Sequence, residues 1–304
     1  MLVDKQESVD FEHPMENIMV RPLDFQSEKL GEESVLWSES SPYAAMFLNA
    51  FSVHVPYFER YLIRSMIKAR KLIKDDSLRE DVDAIIGQEA HHARNFIEFN
   101  KIMARRFPKI GEMEKRNKQD FARWAKKDDM KELVGFTAGY ETFTFLAGMI
   151  VLANYEGWMG DSEETMKAMW VWHQVEEVEH GAVAFEVFKY LYGKYEWYRK
   201  AMIVKALFHI ASEVAKAYLH MCKEEGYFHR LGSTVKSVSF LTSTLSKMAW
   251  YCLPTLSRKY HPREHPLATT NQNRIAVAWR RFTKAGGDPL KIDRVKMEEI
   301  IGFS

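Results

Sequence analysis

The sequence predicts an all-α fold, a four-helix bundle with additional C-terminal helices. Three observations predict it. Helix breakers are scarce, with 9 prolines and 15 glycines in 304 residues, and both types disfavour helix interiors. Apolar residues recur at spacings of three and four through long stretches. Several of those stretches open on a residue able to cap a helix N-terminus. Hydrophobic residues at 46% and charged residues at 28% are in proportion for a packed domain, so nothing here points to disorder.

Residues 1–40 lack clear periodicity and are interrupted by Pro14 and Pro22. They read as an extended arm laid over the domain. Residues 41–193 read as the four-helix core, and 194–304 as additional helices packing on it. Ser41-Pro42 starts a helical stretch that Pro56 restarts or kinks. From there to Lys74 the first core helix shows Phe58, Leu62, Ile63, Met66 and Ile67. Ser77 with Glu80 forms a capping box that opens the second. Its stripe is Val82, Ile85, Ile86, Phe96 and Met103, and it ends near Phe107-Pro108. The charged stretch 109–127 reads as a shorter helix.

Asp128 or Asp129 caps the third core helix, which carries Leu133, Val134, Phe145, Met149 and Leu152. Residues 154–160 read as a turn. Asp161, with Glu164 three residues on, opens the fourth helix, which runs to Tyr192-Gly193. Its stripe is Met166, Met169, Trp170, Ala184, Val187 and Leu191. Two further helices are expected over 196–225 and 233–253, the latter ending at Pro254. Pro262 and Pro266 mark a loop, and a last helix over 271–282 stops before Gly286-Gly287.

A net charge of +1 provides no global field for nucleic acid or an anionic membrane. The basic runs at 68–74 and 101–106 read as helix ends with solvated faces. Cys222 and Cys252 form no CxxC and no disulfide framework, which fits buried thiols in a cytoplasmic protein. Residues 1–10 carry acids and no apolar core, unlike a signal peptide. No uncharged apolar run reaches the roughly 18 residues of a spanning helix. The nearest, 235–256, contains Lys236 and Lys247 and reads as a packed or interfacial helix.

Two Glu-x-x-His tetrads stand out, Glu89 to His92 and Glu177 to His180. Each alone is near what chance produces; their positions are what matter. Residues three apart share a helix face. Glu89 and His92 fall inside the apolar stripe of the second core helix, and Glu177 and His180 inside that of the fourth. Buried carboxylates are costly unless they are paired or bind a cation. Glu59 sits in the first stripe and Glu141 in the third. Glu59 precedes Glu89 by 30 residues and Glu141 precedes Glu177 by 36, spans that suit antiparallel neighbours with short connections.

The resulting order is one glutamate from each of two helices and Glu-x-x-His from each of the other two. That is the ferritin-like di-metal carboxylate pattern. Four carboxylates balance two divalent ions, and neutral imidazoles complete the set. His173 shares the face of Glu177 and His180, either as a third histidine ligand or as a supporting core residue. His91 projects about 100° away from His92 and is not expected to bind. Glu176 and Glu179 read as outer supports or surface residues. His209 and Glu213 read as packing residues rather than site contacts, and His54 lies too close to Pro56 for its direction to be inferred.

Several segments resemble a bacterial family of predicted metal-dependent hydrolases over roughly residues 35–260. They are Asn49 to Ser52 through Glu59, Gln88 to His92, Tyr140 to Thr142, and Trp172 to His180. The family carries a glycine just before the first glutamate, where this chain has Phe58. The His173, Glu177, His180 spacing also looks like that of arylamine N-oxygenases, where an additional histidine joins the site. These resemblances imply a ferritin-like fold, two iron ions (manganese being compatible) and dioxygen chemistry.

The expectation is therefore a non-haem di-iron oxidase or oxygenase acting on a small organic substrate. Its metal ligands would be Glu59, Glu89, His92, Glu141, His173, Glu177 and His180. A two-metal hydrolase is the alternative, and an iron-binding, non-enzymatic ferritin-like protein the third reading. Expected partners are a small molecule and dioxygen, with a homodimer left open.

Overall fold

The computed structural model describes residues 13–269 and 274–289. It is all-α: among the described residues the only β-type contact is an isolated bridge between Ser38 and Ser162. Residues 13–40 run as mostly extended chain with short 3-10 turns at Ser27–Lys29 and Glu32–Leu36. Helices α1 (Pro42–Ser52) and α2 (Val55–Arg70) are separated at Val53-His54, next to Pro56. Ser41 caps α1 by accepting from the Ala44 amide, with proline at the first helical position.

Helix α3 (Asp76–Arg106) is capped by Asp75, whose side chain accepts from the Leu78 amide. Ser77, the residue expected to cap it, lies inside the first turn. The stretch 108–127 is a full helix, α4 (Pro108–Lys127). Asp129 caps α5 (Met130–Ala153). The expected turn at 154–160 is a short helix, α6 (Tyr155–Met159). Glu163, not Asp161, caps α7 (Glu164–Glu179).

The fourth core helix is broken. Helix α7 stops at Glu179, His180 serves as its C-cap, and α8 (Val183–Tyr192) begins three residues later. Gly181 lies at the break, where a Cβ would meet Phe145 of α5 at 3.0 Å. Glycine lets the chain press against α5 where the helix ends.

α2 packs on α3 and α5, α5 packs on α7 and α8, and α3 packs on α8, which gives a four-member bundle with a split fourth member. Helix α9 (Glu196–Glu224) lies along α5 and α1, and α10 (Leu231–Cys252) touches α5 and α1. Pro254 sits in a 3-10 turn just after α10. Short helix α11 (Pro266–Thr269) and α12 (Arg274–Lys284) follow, with α12 against α7. Residues 271–273, where the last helix was expected to begin, lie outside the described residues. Helix α5 is long and apolar enough to cross a membrane, but 89% of its apolar window is buried inside the protein. It is the bundle's central helix, with Glu141 at mid-length. Cys222 and Cys252 are buried free thiols.

Candidate metal centre

Glu59, Glu89, His92, Glu141, His173, Glu177 and His180 are all buried, none above 2% exposed. Four separate helices bring them together: α2 supplies Glu59, α3 Glu89 and His92, α5 Glu141, and α7 with its C-cap the remaining three. They form two clusters. One is Glu59, His92, His173 and Glu177; the other is Glu89, Glu141, Glu177 and His180. Within each, one donor atom per residue lies within 4.8 Å of all the others.

Glu177 belongs to both clusters. Its Oε1 lies 3.1 Å from His173 Nε2 and 3.5 Å from His92 Nδ1, and its Oε2 lies 3.3 Å from His180 Nε2. Glu89 spans them from the opposite side. Its Oε1 is 3.1 Å from His180 Nε2 and its Oε2 is 3.7 Å from His92 Nδ1. Glu59 lies at one end, 3.3 Å from His173 Nε2, and Glu141 at the other, 3.2 Å from His180 Nε2.

These approaches leave donor atoms unsatisfied. Among the described residues, both oxygens of Glu89 and of Glu177, Glu59 Oε2, Glu141 Oε2, His92 Nδ1 and His180 Nε2 have no aligned hydrogen bond. Buried polar atoms are nearly always paired, and unpaired buried carboxylates are especially costly. Here the unpaired atoms converge on two points. The donor set of glutamate oxygens and imidazole nitrogens suits divalent transition metals, so the residues fit a pair of cations.

Surrounding side chains set the direction of each ring. His180 Nδ1 lies 2.8 Å from Gln88 Oε1, while Gln88 Nε2 donates to Met19 O and Glu179. The amide is thereby fixed with its oxygen toward the ring, so Nδ1 carries a proton and Nε2 faces the carboxylates. His92 is turned the other way. Its Nε2 lies 3.0 Å from Glu176, and Nδ1 faces the cluster. Gln174 packs against His173 Nδ1 at 2.7 Å, leaving Nε2 inward. Thr144 donates to Glu141 Oε1.

Glu176 and Glu179 are neither ligands nor surface groups. Arg21, on the arm, donates to Glu176 at 2.9 Å and to both oxygens of Glu179 at 2.8 Å. All three are buried. Sequence reasoning missed Arg21 and Gln88; the sole signal was the surplus of acids around Glu177. His91 stays outside both clusters, as do His209 and Glu213. His209 packs against Tyr140 and Phe121 instead.

The electrostatics reflect the crowding. Burial, then the charge of Glu89, pushes Glu59 well above the usual carboxylate range. Burial lifts Glu141 to about 8, against the opposing pull of His180 3.2 Å away. Burial also opposes charging of Glu177, but His173 and His180 outweigh it and hold that carboxyl low. Burial holds His173 down at about 3. Aromatic rings close the site: Trp172 lies edge-on to His92 at 4.7 Å, Phe96 edge-on to His173 at 4.7 Å, and Phe58 stacks on Tyr140 at 3.8 Å.

An all-helical bundle with two buried Glu/His clusters sharing one carboxylate defines a candidate two-metal protein. A family model described as predicted metal-dependent hydrolase matches residues 19–266, and the chain belongs to that family. No curated protein and no solved structure matches the chain.

Proposed function

We propose that the chain is a two-metal enzyme. The observation that carries this reading is the sharing of Glu177, one oxygen aimed at each cluster. Glu177 would serve both ions, and Glu89 the position that faces Glu141 and His180. Glu59, His92 and His173 would complete one position, and Glu141 and His180 the other. Two divalent ions so placed would supply Lewis acidity and an acidified water at neutral pH. The protein's part is positional. Gln88 and Glu176 orient their histidines, Thr144 orients Glu141, and Trp172 and Phe96 limit water.

Metal-dependent hydrolysis is the reading that the family description supports, with small esters and phosphates as the substrate classes to test. Dioxygen chemistry at two irons is the second reading. It is favoured by one specific observation: every donor comes from a bundle helix or its cap, in the arrangement of ferritin-like di-iron and di-manganese carboxylate proteins.

One set of measurements separates them. The metal content of protein purified without added metal is determined first. Turnover of ester and phosphate panels is then measured with zinc or manganese, and oxygen consumption with ferrous iron. Hydrolysis with a redox-inactive metal supports the first reading. Oxygen uptake with no hydrolysis supports the second. Folded protein that binds no divalent metal would overturn both.

A further inference from the structure

Helices α9 and α10 are apolar on two sides. Their inner faces, with Ile203, Ile210 and Val214 on α9 and Leu241 and Met248 on α10, are buried. Their outer faces are apolar too. On α9, Trp197, Val204, Phe208 and Leu219 recur at helical spacing and are exposed, Trp197 at 82% and Phe208 at 71%. On α10, Leu231, Val235 and Val238 form a second exposed row, continued by Leu253 just past the helix end, with Trp250 70% exposed beside it. Single exposed apolar residues are ordinary; aligned rows on two touching helices mark an interaction surface. The helices do touch, with the Tyr218 hydroxyl donating to Ser237 O at 3.0 Å.

The charges exposed on these two helices are nearly all cationic, with Lys205 and Lys216 paired to Glu132 and Glu213. Lys205, Lys216, Lys223, Arg230, Lys236 and Lys247 are exposed, while Glu224 is the one exposed acid between positions 196 and 253. Glu213 and Glu225 are largely covered and paired with Arg116 and Arg106. Lys200 lies over the ring of Trp197 at 4.9 Å. Tryptophan, phenylalanine and leucine edged by lysine is the composition of helices that lie in a membrane interface. A second copy of the chain fits less well, because a two-fold interface would set this cationic rim against itself. Anionic headgroups complement it.

We propose that the α9–α10 face docks on a lipid bilayer surface bearing anionic headgroups, with Trp197, Phe208 and Trp250 entering the interface. The metal clusters lie elsewhere, on α2, α3, α5 and α7, so docking and metal binding are separable.

The test is flotation of the full-length protein with vesicles of phosphatidylcholine alone or mixed with phosphatidylglycerol. The expected result is recovery with the anionic vesicles at least about tenfold above the neutral ones, reversed by salt. The triple variant Trp197→Ser, Phe208→Ser, Trp250→Ser alters exposed side chains only and is expected to lose about tenfold or more of that binding. The double variant Lys216→Glu, Lys236→Glu keeps the apolar rows and is expected to lose the preference for anionic lipid. Absence of flotation with either vesicle, or undiminished flotation of both variants, would overturn the proposal. So would a lipid-independent dimer, seen by light scattering, that the triple variant dissolves; the face would then belong to a second copy.

Discussion

Arg21 holds Glu179 with both terminal guanidinium nitrogens at 2.8 Å, across 158 residues of sequence, and reaches Glu176 with one of them at 2.9 Å. Glu176 in turn contacts His92. The arm therefore supports the metal centre from outside. Burial works against the charge on Arg21, yet Glu179 and Glu176 raise its pKa further, so it stays cationic. Arg21→Met leaves two buried carboxylates uncompensated. The expected cost is about 3–5 kcal/mol, read as a lower midpoint in urea denaturation. Restoring the charge with lysine should recover only part of it, because lysine cannot reproduce the two-pronged geometry. A variant as stable as the parent would refute this role.

Glu177 is predicted to be the residue whose loss affects both metal positions. Glu177→Gln keeps the shape and removes the shared charge. Metal analysis after dialysis is expected to find both ions depleted. Glu59→Gln, confined to one cluster, is expected to deplete one. Equal stoichiometries in the two variants would count against a shared carboxylate.

Gln88 carries a subtler prediction. Its amide fixes the His180 proton on Nδ1 and leaves Nε2 facing Glu89, Glu141 and Glu177. Gln88→Leu is close in volume but frees the ring. Metal affinity, measured by chelator competition, is expected to fall about 10–100-fold. Because Gln88 is not a ligand, stoichiometry at saturating metal should be unchanged, which distinguishes positioning from ligation.

His54 predicts an acid sensitivity separate from the metal centre. It is fully buried, and among the described residues neither ring nitrogen makes an aligned side-chain hydrogen bond; the Glu213 charge and the Ala50 backbone favour its charged form. Burial, aided by nearby His209, lowers its pKa to about 3. The folded state thus holds this ring neutral, while the unfolded chain takes up a proton near the ordinary histidine pKa of about 6.5. Its contribution is complete above about pH 6.5 and is lost as pH falls toward 3, at up to about 1.4 kcal/mol per pH unit. His54→Phe should flatten the stability profile between those limits, as measured by denaturation midpoints at several pH values. An unchanged slope would show that other groups carry the acid response.

The helices were legible because hydrophobic period and phase are local. All six tetrad and single-glutamate positions are fixed by that phase, and the structure gathers them. The break at His180 was not legible from the stripe, since 177, 180, 184 and 187 stay in phase across it; Gly181 was the only signal. Helix α7 is buried from Met166 through Glu179 on every side, so a one-face reading cannot rank its acids. That is why Glu176 and Glu179 were left undecided. Arg21 could not be found at all, because its partners lie 155 and 158 residues away and an aperiodic arm gives no phase. Cap positions shifted by two residues, from Ser77 to Asp75 and from Asp161 to Glu163, because acidic and hydroxyl residues crowd both helix starts.

The reach of Arg21 also constrains timing. During synthesis the arm leaves the ribosome long before its partners at 176 and 179, and cannot dock until α7 has emerged. The last metal-facing side chain, that of His180, appears only one residue after Glu179. Arm closure and completion of the donor set thus become available together, once residue 180 has emerged. Until then Glu59, Glu89 and Glu141 lack the partners that α7 brings. A nascent chain halted before residue 176 should hold metal no better than its separate helices, whatever its helical content.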